Sequence, residues 1–221
     1  MNYPVNEIFQ TIQGEATYTG TPAIFIRMQG CPVGCGWCDT KHTWEVDPEF
    51  KVEPIRMLIK RDDTLQYADM SVENIYAAIK DFDARHVVIT GGEPCLYDLT
   101  SLTDFLIDKE YLVQIETSGT HEIICNDWTF VTVSPKIDMA GGFKILESAI
   151  ARADEIKFPV GKSADIDKLI ELITEMPPHP STTIWLQPLS QNSKATKICV
   201  ESAIKCGWRI SIQTHKYMGV R

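Results

Sequence analysis

No apolar run in the 221 residues approaches the length of about 18 needed to cross a bilayer as a helix. The opening stretch, MNYPVNEIFQTIQGE, carries no basic-then-apolar leader, so a cytoplasmic protein is expected. Clustered Lys and Arg are missing as well. The net charge is −9, which argues against a nucleic-acid surface, because neutralising phosphates takes grouped cations. A small anionic ligand stays open, since one well-placed arginine can hold it. Low-complexity segments, internal repeats and linker-like stretches are absent, and no G-x-G-x-x-G turn follows the first apolar run, which weakens a dinucleotide-binding reading. The seven cysteines are an odd number in a chain without a leader, so a disulfide framework is not expected.

With 44% hydrophobic residues the chain can bury one sizeable core. Strand-like runs occur at 23–28, 86–92, 111–119, 129–136, 155–160, 183–189 and 209–215. Helix-period segments lie between them at 71–82, 99–109, 143–153, 164–176 and 193–207. Helices between successive strands require a parallel sheet with helices packed on it. About seven strands suit an α/β barrel, complete or split. Two places break the rhythm: 118–128 is a short crossover without a helix, and 43–70, containing EVDPEFKVEP, reads as an inserted segment. The predicted organisation is a single domain, 1–221, with that insertion.

The unusual polar residues gather at the strand C-terminal ends: GGEP after 86–90, ETSG after 111–115, SPK after 129–133, QP within 183–189 and QTHK closing 209–215. In a β/α barrel those ends converge on one mouth, where the chemistry sits. There too falls the loop CPVGCGWCDT, residues 31–40, which puts three of the seven cysteines at C-x3-C-x2-C. The other four, Cys95, Cys125, Cys199 and Cys206, are scattered and read as buried small hydrophobes. Three thiolates can serve zinc, with His42 completing a Cys3His set. Equally they can cap three irons of a four-iron cubane, leaving the fourth iron open as a reaction site. By spacing alone both remain possible.

Cys31, Cys35 and Cys38, with Trp37 before the last of them and GGEP at 91–94, resemble the radical S-adenosylmethionine (SAM) superfamily. The resemblance implies a split, TIM-like β/α barrel of about six to seven parallel strands. It also implies a 4Fe-4S cluster whose open iron chelates SAM and whose electron splits the sulfonium to a 5′-deoxyadenosyl radical. EIFQTIQGE, AIFIRMQGCPVGCGWCDTKHTW, HVVITGGEP, IETSGT, VSPK, LQP and QTHKY extend it over essentially the whole chain, to the 7-carboxy-7-deazaguanine synthase family. The implied reaction is that of a carbon–nitrogen lyase of queuosine biosynthesis. It converts 6-carboxy-5,6,7,8-tetrahydropterin to 7-carboxy-7-deazaguanine with loss of ammonia and regeneration of SAM. Mg²⁺, a homodimer and an external electron donor such as flavodoxin are implied too.

Residue by residue, the resemblance assigns Cys31, Cys35 and Cys38 to the cluster and Thr40 to Mg²⁺. Ile12, Gln13, Gly14, Glu15, Arg27, Thr90 and the terminal Arg221 go to the substrate. Trp37, Cys38, Asp39, Gly92, Glu116, Ser134, Pro135, Lys136 and Gln187 go to SAM. Arg27 has a physical reason as well, because a guanidinium can grip a carboxylate with two parallel hydrogen bonds. At Gly92 a side chain is expected to obstruct the approach of SAM. Glu116, Gln187 and His215 can equally be satisfied structural groups, and His86 and His121 read as structural. Two rival functions stay open: an activating enzyme that makes a glycyl radical on a partner protein, and a zinc-stabilised binding module.

Overall fold

The computed structural model describes residues 1–60 and 62–220. One nine-stranded sheet runs through it, in the order β3-β1-β2-β4-β5-β6-β7-β8-β9. The strands are β1 (Asn2–Ile12), β2 (Pro22–Met28), β3 (Ala68–Ser71), β4 (His86–Gly91), β5 (Leu112–Thr117), β6 (Phe130–Val133), β7 (Glu155–Val160), β8 (Thr183–Pro188) and β9 (Arg209–Ile210). From β2 to β9 every neighbouring pair is parallel, which makes seven parallel strands as expected. β1 was not expected. It pairs antiparallel with both β2 and β3, and its sequence, NYPVNEIFQTI, shows no simple alternation because six successive residues from Tyr3 to Ile8 are buried. The sheet stays open, with β3 and β9 as its edges.

The helices are α1 (Ile55–Ile59), α2 (Val72–Ile79), α3 (Thr100–Asp108), α4 (Glu147–Arg152), α5 (Ser163–Glu175), α6 (Ser193–Cys206) and α7 (Thr214–Met218). α2 starts where Ser71 Oγ accepts from Asn74 N at 3.2 Å, and α6 where Asn192 Oδ1 accepts from the amides of Lys194 and Ala195. α6 ends at Gly207, whose φ of +72° supplies the left-handed cap. Residues 118–129 cross from β5 to β6 without a helix, as read from the sequence. α4 begins only at Glu147, four residues later than predicted. Segment 43–70 holds a 3-10 turn at Pro48–Phe50, then α1 and β3, the last adding an edge to the sheet. Among the described residues no helix is long and apolar enough to cross a membrane.

The strands divide their faces cleanly. Val87, Ile89, Val113, Ile115, Val131, Val133, Ile156, Phe158, Val160 and Leu186 belong to the apolar clusters under the helices. Burying a side chain of this size contributes about 1.5–3 kcal/mol, so this outer layer holds the fold together. The alternate residues, His86, Thr90, Gln114, Glu116, Thr132, Glu155, Lys157 and Gln187, face the other way, into the barrel. Its lower end is stopped by the 3-10 turn Ala16–Tyr18. The Tyr18 ring meets His86 at 4.5 Å and Phe130 at 4.9 Å, both at the starts of their strands.

The 209–215 prediction is only partly right. β9 stops at Ile210, and Thr214–Met218 form α7. The cause is tertiary: Ser211 Oγ accepts from Ala16 N, and the Thr214 amide donates to Gly14 O at 3.0 Å, so the chain leaves the sheet to pair with the N-terminal turn. Of the four scattered cysteines, Cys95 and Cys199 are buried and Cys125 is half-buried. Cys206 is exposed instead, because it ends α6 on the solvent side.

Candidate active site

The mouth opens into a cavity of about 410 Å³. Every described residue assigned from the sequence lines it except Pro135, which is buried behind Ser134 and Lys136. Arg221 lies outside the described residues. The cysteine loop follows β2 and is tied down by Cys31 N donating to Trp44 O at 2.9 Å and Cys38 N donating to Cys35 O at 3.1 Å.

The position of His42 bears on the two metal readings. A tetrahedral zinc would hold its sulfurs about 3.8 Å apart. Among the described residues, the only set of three ligand atoms within 4.8 Å of one another is Glu7, His42 and Asp63, and the thiols are not in it. All three thiols line one cavity, and they are not all within that distance of one another. His42 turns away from them towards Glu7 and Asp63, so no Cys3His site forms. Burial lowers the His42 pKa, with Arg27 and Lys60 pushing the same way and the Asp63 and Glu7 carboxylates opposing them. Burial pushes the Cys31 thiol up to about 11, with Glu93 and the neighbouring thiols adding to it, and raises Cys35. Bound metal is what makes such groups thiolates.

GGEP lies across the end of β2. Gly92 N donates to Met28 O at 3.1 Å and Glu93 N to Gly30 O at 2.7 Å. A Cβ at Gly92 would sit 2.1 Å from the Gly30 carbonyl oxygen. The glycine is therefore required by this backbone crossing, a reason for it beside the expected approach of SAM. Glu93, which the sequence reading passed over, is 1% exposed and accepts from Thr117 Oγ1 at 2.6 Å and Ser118 N at 2.8 Å. It fastens the end of β4 to the end of β5.

On the cavity wall, Arg27 Nε donates to Glu7 Oε1 at 2.6 Å. Phe9 lies 5.9 Å beneath the guanidinium carbon. Arg27 lines the cavity with its Nε held by Glu7. Lys136 Nζ donates to Ser134 Oγ at 2.5 Å and stands 4.9 Å over the Trp37 ring, beside the cysteine loop. Burial lowers its pKa, and the Cys35 thiol counters that. Thr40 Oγ1 lies 3.5 Å from Cys38 Sγ.

The floor is an ionic group that the sequence reading only half found. Lys157 Nζ bonds Glu15 Oε2 and, at 2.8 Å, Glu116 Oε2. Gln13 Nε2 donates to Glu116 Oε1 at 2.9 Å, Gln213 Nε2 to Glu15 Oε1 at 2.8 Å and Gln187 Nε2 to Glu15 Oε1 at 3.3 Å. Burial opposes ionisation of Glu15, but the Lys157 charge and hydrogen bond outweigh it and hold the carboxyl well below the usual range. The signal for Lys157 was available: in EIKFPV the charged residues alternate with apolar ones inside a parallel strand.

Three thiols in one cavity at the C-terminal end of an open parallel barrel point to a class, and residues 25–136 match the family model of the Radical SAM superfamily. The chain is 51% identical to the 7-carboxy-7-deazaguanine synthase of Escherichia coli (strain K12) over 222 residues, spanning all of both chains. It is 47% identical to the 7-carboxy-7-deazaguanine synthase of Buchnera aphidicola subsp. Schizaphis graminum, again over the whole of both. The chain belongs to the 7-carboxy-7-deazaguanine synthase family. The crystal structure of QueE from Escherichia coli superposes with a TM-score of 0.93, covering 96% of this chain and 94% of that one at 51% identity.

Proposed function

We propose that the chain is a cytoplasmic lyase that converts 6-carboxy-5,6,7,8-tetrahydropterin to 7-carboxy-7-deazaguanine with loss of ammonia. The observation that carries this reading is a single cavity lined by the three thiols of the cysteine loop, the Arg27 side chain and the Gln13–Glu15 turn. Cys31, Cys35 and Cys38 hold the 4Fe-4S cluster. The cluster and SAM, when bound, supply the radical chemistry, and this chain's residues bind, orient and exclude water. Trp37, Asp39, the Gly92 turn, Ser134, Pro135, Lys136, Glu116 and Gln187 form the SAM side. Ile12, Gln13, Gly14, Glu15, Arg27 and Thr90 form the pterin side, together with the terminal Arg221, and Thr40 takes Mg²⁺ through its hydroxyl. The whole chain acts as one domain, with 43–70 as an insertion. It works as a homodimer fed by an external electron donor such as flavodoxin.

Arg27 carries the pterin carboxylate. Its Nε–Glu7 bond fixes the plane of the fork, so the remaining edge is preset for two parallel bonds. Arg27→Ala is expected to weaken pterin binding about 100-fold, as for loss of about 3 kcal/mol of charge-assisted bonding, with SAM affinity changed less than about threefold. Equal losses for both ligands would move Arg27 out of the substrate site.

Anaerobic metal analysis followed by turnover tests the whole reading. Brown protein with iron and sulfide that forms the deazapurine supports it. Colourless, zinc-loaded protein would favour a binding module, and SAM cleavage without any deazapurine would favour the glycyl-radical activase.

A further inference from the structure

Lys157 belongs to no motif, yet it sits where five parts of the chain meet. Glu15 comes from the turn after β1, Glu116 from β5, Lys157 from β7, Gln187 from β8 and Gln213 from the segment after β9. All five line the cavity, and the Lys157 side chain is only 6% exposed. The sheet offers no backbone pairing between its two edges. Inside the barrel the Lys157 ion pairs join β7 to β5 and to the turn after β1, and that turn is tied to the segment after β9 by Gln213 on Glu15 and by Thr214 N and Oγ1 on Gly14 O at 3.0 and 3.1 Å. A buried cation between two carboxylates is far more rigid than neutral partners, because moving either carboxylate away leaves a charge unpaired.

We propose that Lys157 is the positioning residue of the pterin pocket, holding Glu15 and Glu116 in one fixed arrangement so that the Gln13–Glu15 turn is preformed for its ligand. The inference rests on the pterin reading above. Lys157 acts through the carboxylates, and through Gln13, which is locked to Glu116. Without the ammonium, two buried carboxylates face each other, and their repulsion is relieved by taking up a proton. The charged and titratable groups facing Glu15 are Lys157, Glu116, His215 from α7 and Lys136 from the loop after β6, with Glu155 two residues back along β7. In the intact network Glu15 titrates below the working range, so its folded-state contribution is complete above the ordinary carboxyl pKa and is lost only as pH falls further.

The test uses reconstituted, SAM-loaded holoenzyme and measures equilibrium binding of the carboxytetrahydropterin, with kcat and KM, from about pH 5.5 to 8. For Lys157→Met the pterin dissociation constant should rise at least about tenfold relative to wild type, and the ratio should change with pH as the carboxylates take up protons. KM should suffer more than kcat, and Lys157→Arg should recover most of the affinity. A pterin affinity within about threefold of wild type, or a loss independent of pH and equal in Met and Arg variants, overturns the proposal. Should Lys157→Met fail to fold, the double variant E15Q/K157M removes the buried charge mismatch. It should bind the pterin weakly with little pH dependence, and wild-type affinity in that variant would also overturn the proposal. Wild-type protein that neither binds nor converts the pterin would instead sink the functional reading and is scored separately.

Discussion

Replacing Cys35 by alanine should remove SAM cleavage and turnover altogether while leaving the folded chain intact. Cys35 is 7% exposed at the cavity wall, and its side chain is small. The apolar clusters under the helices lie on the opposite face of the sheet and do not include it. Its loss should cost less than about 1.5 kcal/mol of stability in the metal-free protein. The fall in function is total, because two protein ligands hold a four-iron cluster poorly and leave two irons uncapped. The check pairs iron and sulfide content and the visible absorption band with circular dichroism and thermal melting. A native melting curve with no cluster is the expected outcome. Wholesale unfolding would make the cysteine loop a structural element instead of a cofactor cradle.

The second large effect is expected at a residue that needs no ligand contact to matter. Gly92→Ala places a methyl 2.1 Å from the Gly30 carbonyl oxygen and 2.8 Å from its carbonyl carbon, both backbone atoms that no rotamer change can move. The crossing must open, breaking the Glu93 N–Gly30 O bond and displacing the start of the cysteine loop. A destabilisation of about 2–4 kcal/mol is expected. For a chain of this size that corresponds to a fall in Tm of roughly 5–15 °C. Cluster loading should fall with it, since Gly30 directly precedes Cys31. A Tm within about 2 °C of wild type would show that the crossing relaxes freely and would leave the clearance of space for a ligand as the reason for glycine at position 92.

Where sequence reading succeeded, a single periodicity decided the matter. The runs 86–92, 155–160 and 183–189 and the helical segments 164–176 and 193–207 are local patterns, and each reappears within a residue or two. The failures are places where distant contacts dominate. β1 escaped because burial on both faces erased its alternation, and α7 was read as strand because only the Gly14–Thr214 pairing turns the chain there. Cluster ligands were readable because cofactor spacing is written within eight residues. For Lys157 only the charge inside a strand was readable, and not its partners, which lie 41 and 142 positions away. The role of Glu93 is hidden for the same reason, its acceptors' partners lying on the next strand.

The alternation of inward polar and outward apolar residues along the strands has a consequence for how such a molecule can change. What keeps the chain folded and what gives it chemistry are carried by opposite sides of the same backbone. His86 is held neutral, with its pKa pushed down to about 4 by burial against the opposing influence of Gln114 and Glu116, yet the layer beneath the helices does not depend on it. Exchanges at inner positions outside the Lys157 ion pairs therefore leave the apolar layer under the helices untouched. New substrate preferences can be explored there by drift or by design while the scaffold stays as it is.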